Sequence, residues 1–147
     1  MCTTHRTVAT GVQIQKVERV QNIPLWESYA AQRKVLAKTY QRGLDSGALR
    51  VSHRSPGDGE PIERALWHGT KTMNNYELTS TAQGWCASYA HRGSCGKGIY
   101  FAPSPGYSMG GYAHRCEKTG HSQLILADVL IGASSLALAS SSYRVRS

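Results

Sequence analysis

Apolar positions divide the chain into one long helix and several short extended runs. Val12 and Ile14 alternate with polar neighbours and Val17 and Val20 continue them with one irregularity, which predicts a strand over Val12 to Val20. Asn22 then offers a cap and Pro24 stands near the first helical position. Leu25, Tyr29, Leu36 and Tyr40 follow at near-helical spacing, so an amphipathic helix is predicted as far as about Gly43, with Trp26 and Tyr29 packed on a sheet. Glycine, proline and mixed charge make residues Gly43 to Pro61 a surface loop. Arg64 to His68 reads as a strand broken at Gly69, and Thr70 to Thr81 as a short helix that Gly84 ends. Trp85 to Cys95 is expected to be a loop folded over a cleft. Gly96-Lys97-Gly98 is a flexible entry to a strand through Ile99, Tyr100 and Phe101, which Pro103 stops. A glycine-weakened turn or helix is expected over Tyr107 to Tyr112, and Gln123 to Leu130 is apolar enough for the centre of a sheet. The serine-rich tract Ser134 to Ser142 reads as a flexible tail.

Composition narrows the class. The 147 residues suit one domain with a modest core, and a mean hydropathy of -0.39 with interspersed charge describes a globular chain. Met1 to Thr10 has no apolar stretch of signal-peptide type and no segment is built to span a bilayer, so an intracellular protein of nucleus or cytoplasm, without a membrane partner, is expected. Seventeen Lys and Arg against nine Asp and Glu give a formal net charge of +8. That favours an anionic partner such as a diphosphate, but the charges are scattered and form no nucleic-acid-binding arm. Cys2, Cys86, Cys95 and Cys116 lack a paired C-x-x-C spacing and read as free thiols. With His91, His114 and His121 they make no regular metal-binding pattern, so no metal is assigned.

Two stretches carry the candidate chemistry. Ala65-Leu66-Trp67-His68-Gly69-Thr70 ends an apolar run in an imidazole, a glycine and a hydroxyl, and Gly96 to Ala102 brings a phenol to the end of the next one. His68 and Tyr100 are expected on one wall of a cleft. A neutral imidazole both accepts and donates a hydrogen bond, so His68 suits a pair of sugar hydroxyls. Gly69, without a Cβ, lets a planar amide exchange hydrogen bonds with the main chain.

Leu66-Trp67-His68-Gly69-Thr70 and Gly96-Lys97-Gly98-Ile99-Tyr100-Phe101-Ala102, followed by Tyr107-Ser108 and Tyr112, resemble the catalytic domain of the poly(ADP-ribose) polymerase family, the diphtheria-toxin-like ADP-ribosyltransferases. Lys16 to Asn22, with Leu25-Trp26 and Tyr29, is similar to the start of that domain in the mono-ADP-ribosylating members. The resemblance implies an α+β, ADP-ribosyltransferase-like fold, a mostly antiparallel split β-sheet with flanking helices. It implies NAD as substrate and a protein as acceptor, the domain running over 12–132 between an N-terminal extension, 1–11, and the tail, 133–147. By the same resemblance His68 and Tyr100 form the catalytic pair, and His68 holds the adenosine-side ribose. The Gly69 backbone and the Ser108 hydroxyl clamp the nicotinamide carboxamide, Tyr112 stacks on the nicotinamide ring, and Tyr100, Phe101 and Ala102 line the cofactor.

Departures from the family matter as much. Cys95 stands where many relatives carry an aromatic residue, which loosens the pocket wall. Fifteen residues follow Gly132 and none is Asp or Glu, so the last strands and the third catalytic position are expected to be missing. Mono- and poly-transfer are therefore left open by that position. An open sheet edge and exposed apolar surface are expected, with reduced stability and weak turnover. Three functions follow: a mono-ADP-ribosyltransferase; a catalytically weak or inactive NAD- or ADP-ribose-binding pseudo-enzyme; and, last, a basic nucleic-acid-binding module.

Overall fold

The computed structural model describes residues 12–47, 62–93 and 96–131. Its elements are α1 (Ile23–Asp45), β1 (Glu63–His68), α2 (Asn75–Ser80), a 3-10 turn (Ala87–Tyr89), β2 (His91–Gly93), β3 (Gly96–Gly98), α3 (Pro105–Met109), β4 (His114–Arg115), β5 (Ser122–Gln123) and β6 (Ile125–Leu130). The pairs β1 with β6, β2 with β3 and β4 with β5 are all antiparallel.

Helix α1 begins where its cap predicts. The Asn22 side-chain oxygen accepts from the Leu25 N–H at 3.3 Å, satisfying one of the donors a helix start leaves open. The amide of the same side chain donates to the Thr79 and Thr81 carbonyls, at 2.9 and 3.0 Å. One residue thus starts the first helix and fastens it to the end of α2. The helix runs past Gly43, the predicted stop, to Asp45. A glycine within a helix costs only about 1 kcal/mol, whereas Gly47 adopts φ +70° and its N–H closes on the Leu44 carbonyl at 3.0 Å, as a helix terminator does.

Register defines two faces of the β1–β6 ribbon. Glu63 stands opposite Leu130, Ala65 opposite Asp128 and Trp67 opposite Leu126; Arg64, Leu66 and His68 face Val129, Ala127 and Ile125. Because successive residues alternate, Glu63 and Asp128 share one face and His68 belongs to the other. Helix α1 lies over the Glu63 face. The Arg33 guanidinium donates to Glu63 at 2.5 Å, and the Tyr29 phenol is buried beside Glu63. Burial, reinforced by that carboxylate, pushes the phenol's pKa up. Burial also pulls the Glu63 carboxyl upward, but Arg33 and Tyr29 hold it below its ordinary range. Tyr29 therefore packs on the sheet as expected. Trp26 instead stacks on Tyr29, ring centroids 5.8 Å apart, and stays exposed at the lip of a pocket of about 260 Å³.

Beyond β6, strand β1 bonds on its other edge to Ala102: the Trp67 and Ala102 N–H groups each donate to the other's carbonyl at 2.8 Å. Among the described residues the middle position thus belongs to β1, while β6, expected there, pairs only with β1. Among the described residues the buried apolar side chains are Ile62, Leu78 and Ala102, joined by the Ser108 side chain.

Four other expectations are corrected. Residues 12–20 form neither helix nor strand, and Ile14 and Val17 are 77% and 84% exposed. Alternation makes a strand only beside a partner, and no described strand runs next to this segment. Ile99 to Phe101 is not a strand either: the extended pairing falls on Gly96–Gly98 before it and on Ala102 after it. The α2 helix is confined to Asn75–Ser80, the preceding residues forming turns in which the Thr70 hydroxyl reaches the Met73 carbonyl at 2.5 Å and the Asn75 side chain at 2.7 Å. Residues 85–93 hold the 3-10 turn and β2 rather than loop alone. Cys95, most of the 43–61 loop, residues 1–11 and the tail after Gly132 lie outside the described residues.

Candidate active site

Beside the Trp67–Ala102 bridge, a side-chain hydrogen bond ties the end of β1 to the segment after β3. His68 Nδ1 lies 2.7 Å from the Tyr100 carbonyl oxygen. A carbonyl only accepts, so Nδ1 carries the proton, and in the neutral ring Nε2 is left as an acceptor. Burial pushes the imidazole's pKa below its ordinary value, and the Tyr100 carbonyl opposes that only in part. His68 is accordingly neutral at pH 7, with a bare nitrogen able to take a hydroxyl proton in a hydrogen bond.

Two rings fix its orientation. His68 lies 5.1 Å from Phe101 and 5.6 Å from Trp85, which meets it edge-on at 89°; Trp85 and Phe101 are 5.4 Å apart at 71°. These are favourable edge and tilted geometries, and each pair contributes about 0.5–1.5 kcal/mol beyond simple burial. Trp85 is the residue that sequence reasoning missed. The one local hint was an aromatic side chain directly after the Gly84 helix stop. Its indole Nε1 is buried and has no hydrogen-bond partner among the described residues.

Tyr100 is folded back on β3, the strand that precedes it. Its phenol donates to the Gly96 carbonyl at 2.6 Å, and its ring lies flat against Gly93 of β2. A Cβ at Gly93 would stand 2.6 Å from the phenol Cζ, so the hairpin accepts this ring only because position 93 has no side chain. The Tyr100 carbonyl turns to His68, and Ile99 to Phe101 does not continue as a strand.

The third group of predicted residues joins through the main chain. Gly69 follows β1 and presses on the Tyr112–Ala113 peptide: a Cβ there would lie 2.3 Å from the Tyr112 oxygen. The same oxygen accepts from the Lys71 N–H at 2.8 Å, with Lys71 at φ +57°, and the Lys71 carbonyl lies 3.2 Å from His114 Nδ1. Among the described residues no main-chain group uses the Gly69 N–H or C=O. Ser108, on α3, is 3% exposed and its hydroxyl makes a long 3.4 Å bond to the Trp67 carbonyl. The Tyr112 N–H donates to the Ser108 carbonyl at 3.2 Å. Helix α3 is capped by the Ser104 hydroxyl, which accepts from the Gly106 N–H at 3.3 Å.

His68, Tyr100 and Phe101 are therefore in direct contact, while Gly69, Ala102, Ser108 and Tyr112 are linked to them through Trp67 and the turn after β1. A flat amide could exchange bonds with Gly69 and Ser108, and a sugar hydroxyl could donate to His68. Among the described residues no cluster of three His, Cys, Asp or Glu side chains converges as a metal site, and no helix is long and apolar enough to cross a membrane. Cys86 and Cys116 are free and half-buried.

A sequence model of the poly(ADP-ribose) polymerase catalytic domain matches residues 1–147. A probable poly [ADP-ribose] polymerase of Dictyostelium discoideum is 29% identical over 129 residues, 87% of this chain and 34% of its own. The mouse protein mono-ADP-ribosyltransferase PARP12 is 32% identical over 120 residues, 81% of this chain and 14% of its own. Human PARP14, also named a protein mono-ADP-ribosyltransferase, is 28% identical over 122 residues, 82% and 6%. The chain thus spans about a third or less of these relatives. Its helices and small antiparallel sheets fit an ADP-ribosyltransferase fold, and the chain belongs to the poly(ADP-ribose) polymerase catalytic domain family.

Proposed function

We propose that this chain is an NAD-dependent ADP-ribosyltransferase that breaks the bond between nicotinamide and ribose and passes a single ADP-ribose to a protein. The observation that carries the reading is the bond from His68 Nδ1 to the Tyr100 carbonyl, which joins the two motif residues in one wall and leaves Nε2 as an acceptor. The fit to a dinucleotide is supported by Gly69, whose N–H and C=O are used by no main-chain group among the described residues. In this reading the three small sheets are the described parts of a split sheet.

The chemistry follows from the substrate. The glycosidic C1′–N bond breaks with its electron pair going to the ring nitrogen, neutralising the pyridinium, and positive charge develops on the ribose as in glycoside hydrolysis. A side-chain oxygen or nitrogen of the acceptor then bonds to C1′ and its proton leaves to solvent. The chain's contribution is positional: Gly69 and Ser108 hold the carboxamide, Tyr112 the ring, and His68 a ribose hydroxyl, so the leaving group departs along a fixed line. The relatives named as mono-transferring enzymes support single transfer.

One observation favours a second reading, binding without turnover. Among the described residues no carboxylate is gathered around His68; Glu63 and Asp128 belong to the opposite face of the ribbon. Incubation with labelled NAD followed by denaturing electrophoresis separates the two. Label on protein marks the transferase; a thermal shift with NAD but no label marks the binding module; no shift at millimolar NAD removes both.

A further inference from the structure

Tyr107 was not among the residues expected to act, yet it forms the tightest aromatic stack outside the His68 cluster. Its ring lies 5.5 Å from that of Tyr112 at an interplanar angle of 17°. The pairing is built by the chain between them. Gly110 N–H closes on the Gly106 and Tyr107 carbonyls at 3.1 and 3.2 Å, Gly111 takes φ +119°, and Tyr112 N–H returns to the Ser108 carbonyl. Ser108 points into the core, so Tyr107 next to it is turned outward and is 66% exposed.

Spacing decides what the stack can do. A planar ring inserted between two others needs roughly 3.5 Å on each side, about 7 Å in all. At 5.5 Å no third ring enters between Tyr107 and Tyr112. Tyr112 is nevertheless 47% exposed, with Tyr107 stacked on one face of its ring.

Resting on the reading above, in which Tyr112 meets the nicotinamide ring, we propose that Tyr107 is a positioning residue that backs Tyr112, so that the pyridinium of NAD adds to the outer face as the third ring of a column. Two consequences distinguish this from a merely structural contact. The second ring fixes the plane of Tyr112 and adds its own negative face behind it, which favours a cationic ring over a neutral one. The effect is therefore confined to ligands that carry nicotinamide.

The test compares NAD with ADP-ribose, which lacks that ring, by calorimetric titration of the full chain and of Tyr107→Ala and Tyr107→Phe. Tyr107→Ala is expected to weaken NAD about three- to tenfold and to leave ADP-ribose within twofold, as the loss of one aromatic pair predicts. Tyr107→Phe, which keeps the ring, is expected to match the parent. Equal loss for both ligands, no loss for either, tighter NAD binding, or a Phe variant as weak as the Ala variant would each overturn the proposal. Should the parent bind neither ligand, the dinucleotide reading fails and this inference with it. If the parent binds both and Tyr107→Ala does not discriminate, only the column is lost.

Discussion

The imidazole of His68 is held by the main-chain carbonyl of Tyr100, 2.7 Å from Nδ1, so the second motif orients the first through its backbone and not through its phenol. That phenol is engaged with Gly96. The two motif residues are thus coupled by geometry that a substitution at position 100 alone does not remove.

His68 gives a pH dependence with a definite sign. Burial lowers its pKa below the unfolded value of about 6.5, so between the two values the unfolded chain binds more protons than the folded one. This contribution to stability is complete above the unfolded pKa and is lost as pH falls toward the folded one. Melting temperature is expected to fall from pH 7 to pH 5, with a shallower slope in His68→Gln. NAD affinity should fall over the lower part of that range, once Nε2 protonates and can no longer accept; a flat affinity profile would count against the assigned tautomer.

Asn22→Ala removes a helix cap and two bonds to α2. A loss of about 1–2 kcal/mol is expected in urea denaturation. Asn22→Asp keeps the cap oxygen and loses the two donors, so it should fall between the parent and the alanine variant.

Gly69→Ala places a methyl group 2.3 Å from the Tyr112 oxygen, and backbone must move to admit it. A destabilisation of about 1–3 kcal/mol is expected, as for other overpacked sites, with NAD affinity reduced at least tenfold because the carboxamide site is displaced. Affinity measured by titration at a temperature where both proteins are folded separates the two effects.

Trp85→Phe tests the orphaned indole. It deletes a buried N–H that has no partner among the described residues, while retaining a ring beside His68 and Phe101. Stability should hold or rise by about 1 kcal/mol, since an unsatisfied buried donor costs about 1–3 kcal/mol. Trp85→Ala, losing the ring as well, should destabilise by about 3 kcal/mol, the lower end for truncating a large aromatic side chain. Thermal or urea denaturation of both variants provides the check.

Local signals were legible wherever the chain answers them locally. Asn22 and Pro24 start a helix because the cap bond needs only three residues, and Glu63–His68 and Ile125–Leu130 emerge as strands from short apolar runs. Val12 to Val20 misleads because alternation states which face would be buried without supplying the neighbour to bury it. Ile99 to Phe101 has strong strand character, but His68, thirty-two positions away, takes the Tyr100 carbonyl. Trp85 and Tyr107 escaped for related reasons: the first acts through residues distant in sequence, and the second through a turn whose glycines read as weakness when they are what brings two rings together.

The carbonyl of Trp67 accepts twice, from the Ala102 N–H at 2.8 Å and from the Ser108 hydroxyl at 3.4 Å. A carbonyl oxygen has two lone pairs, and the longer bond is the weaker. If an arriving amide draws the Ser108 hydroxyl away, the oxygen keeps its sheet partner and no buried group is stranded. The hydroxyl is in effect on loan, parked where its departure leaves the strand zipped.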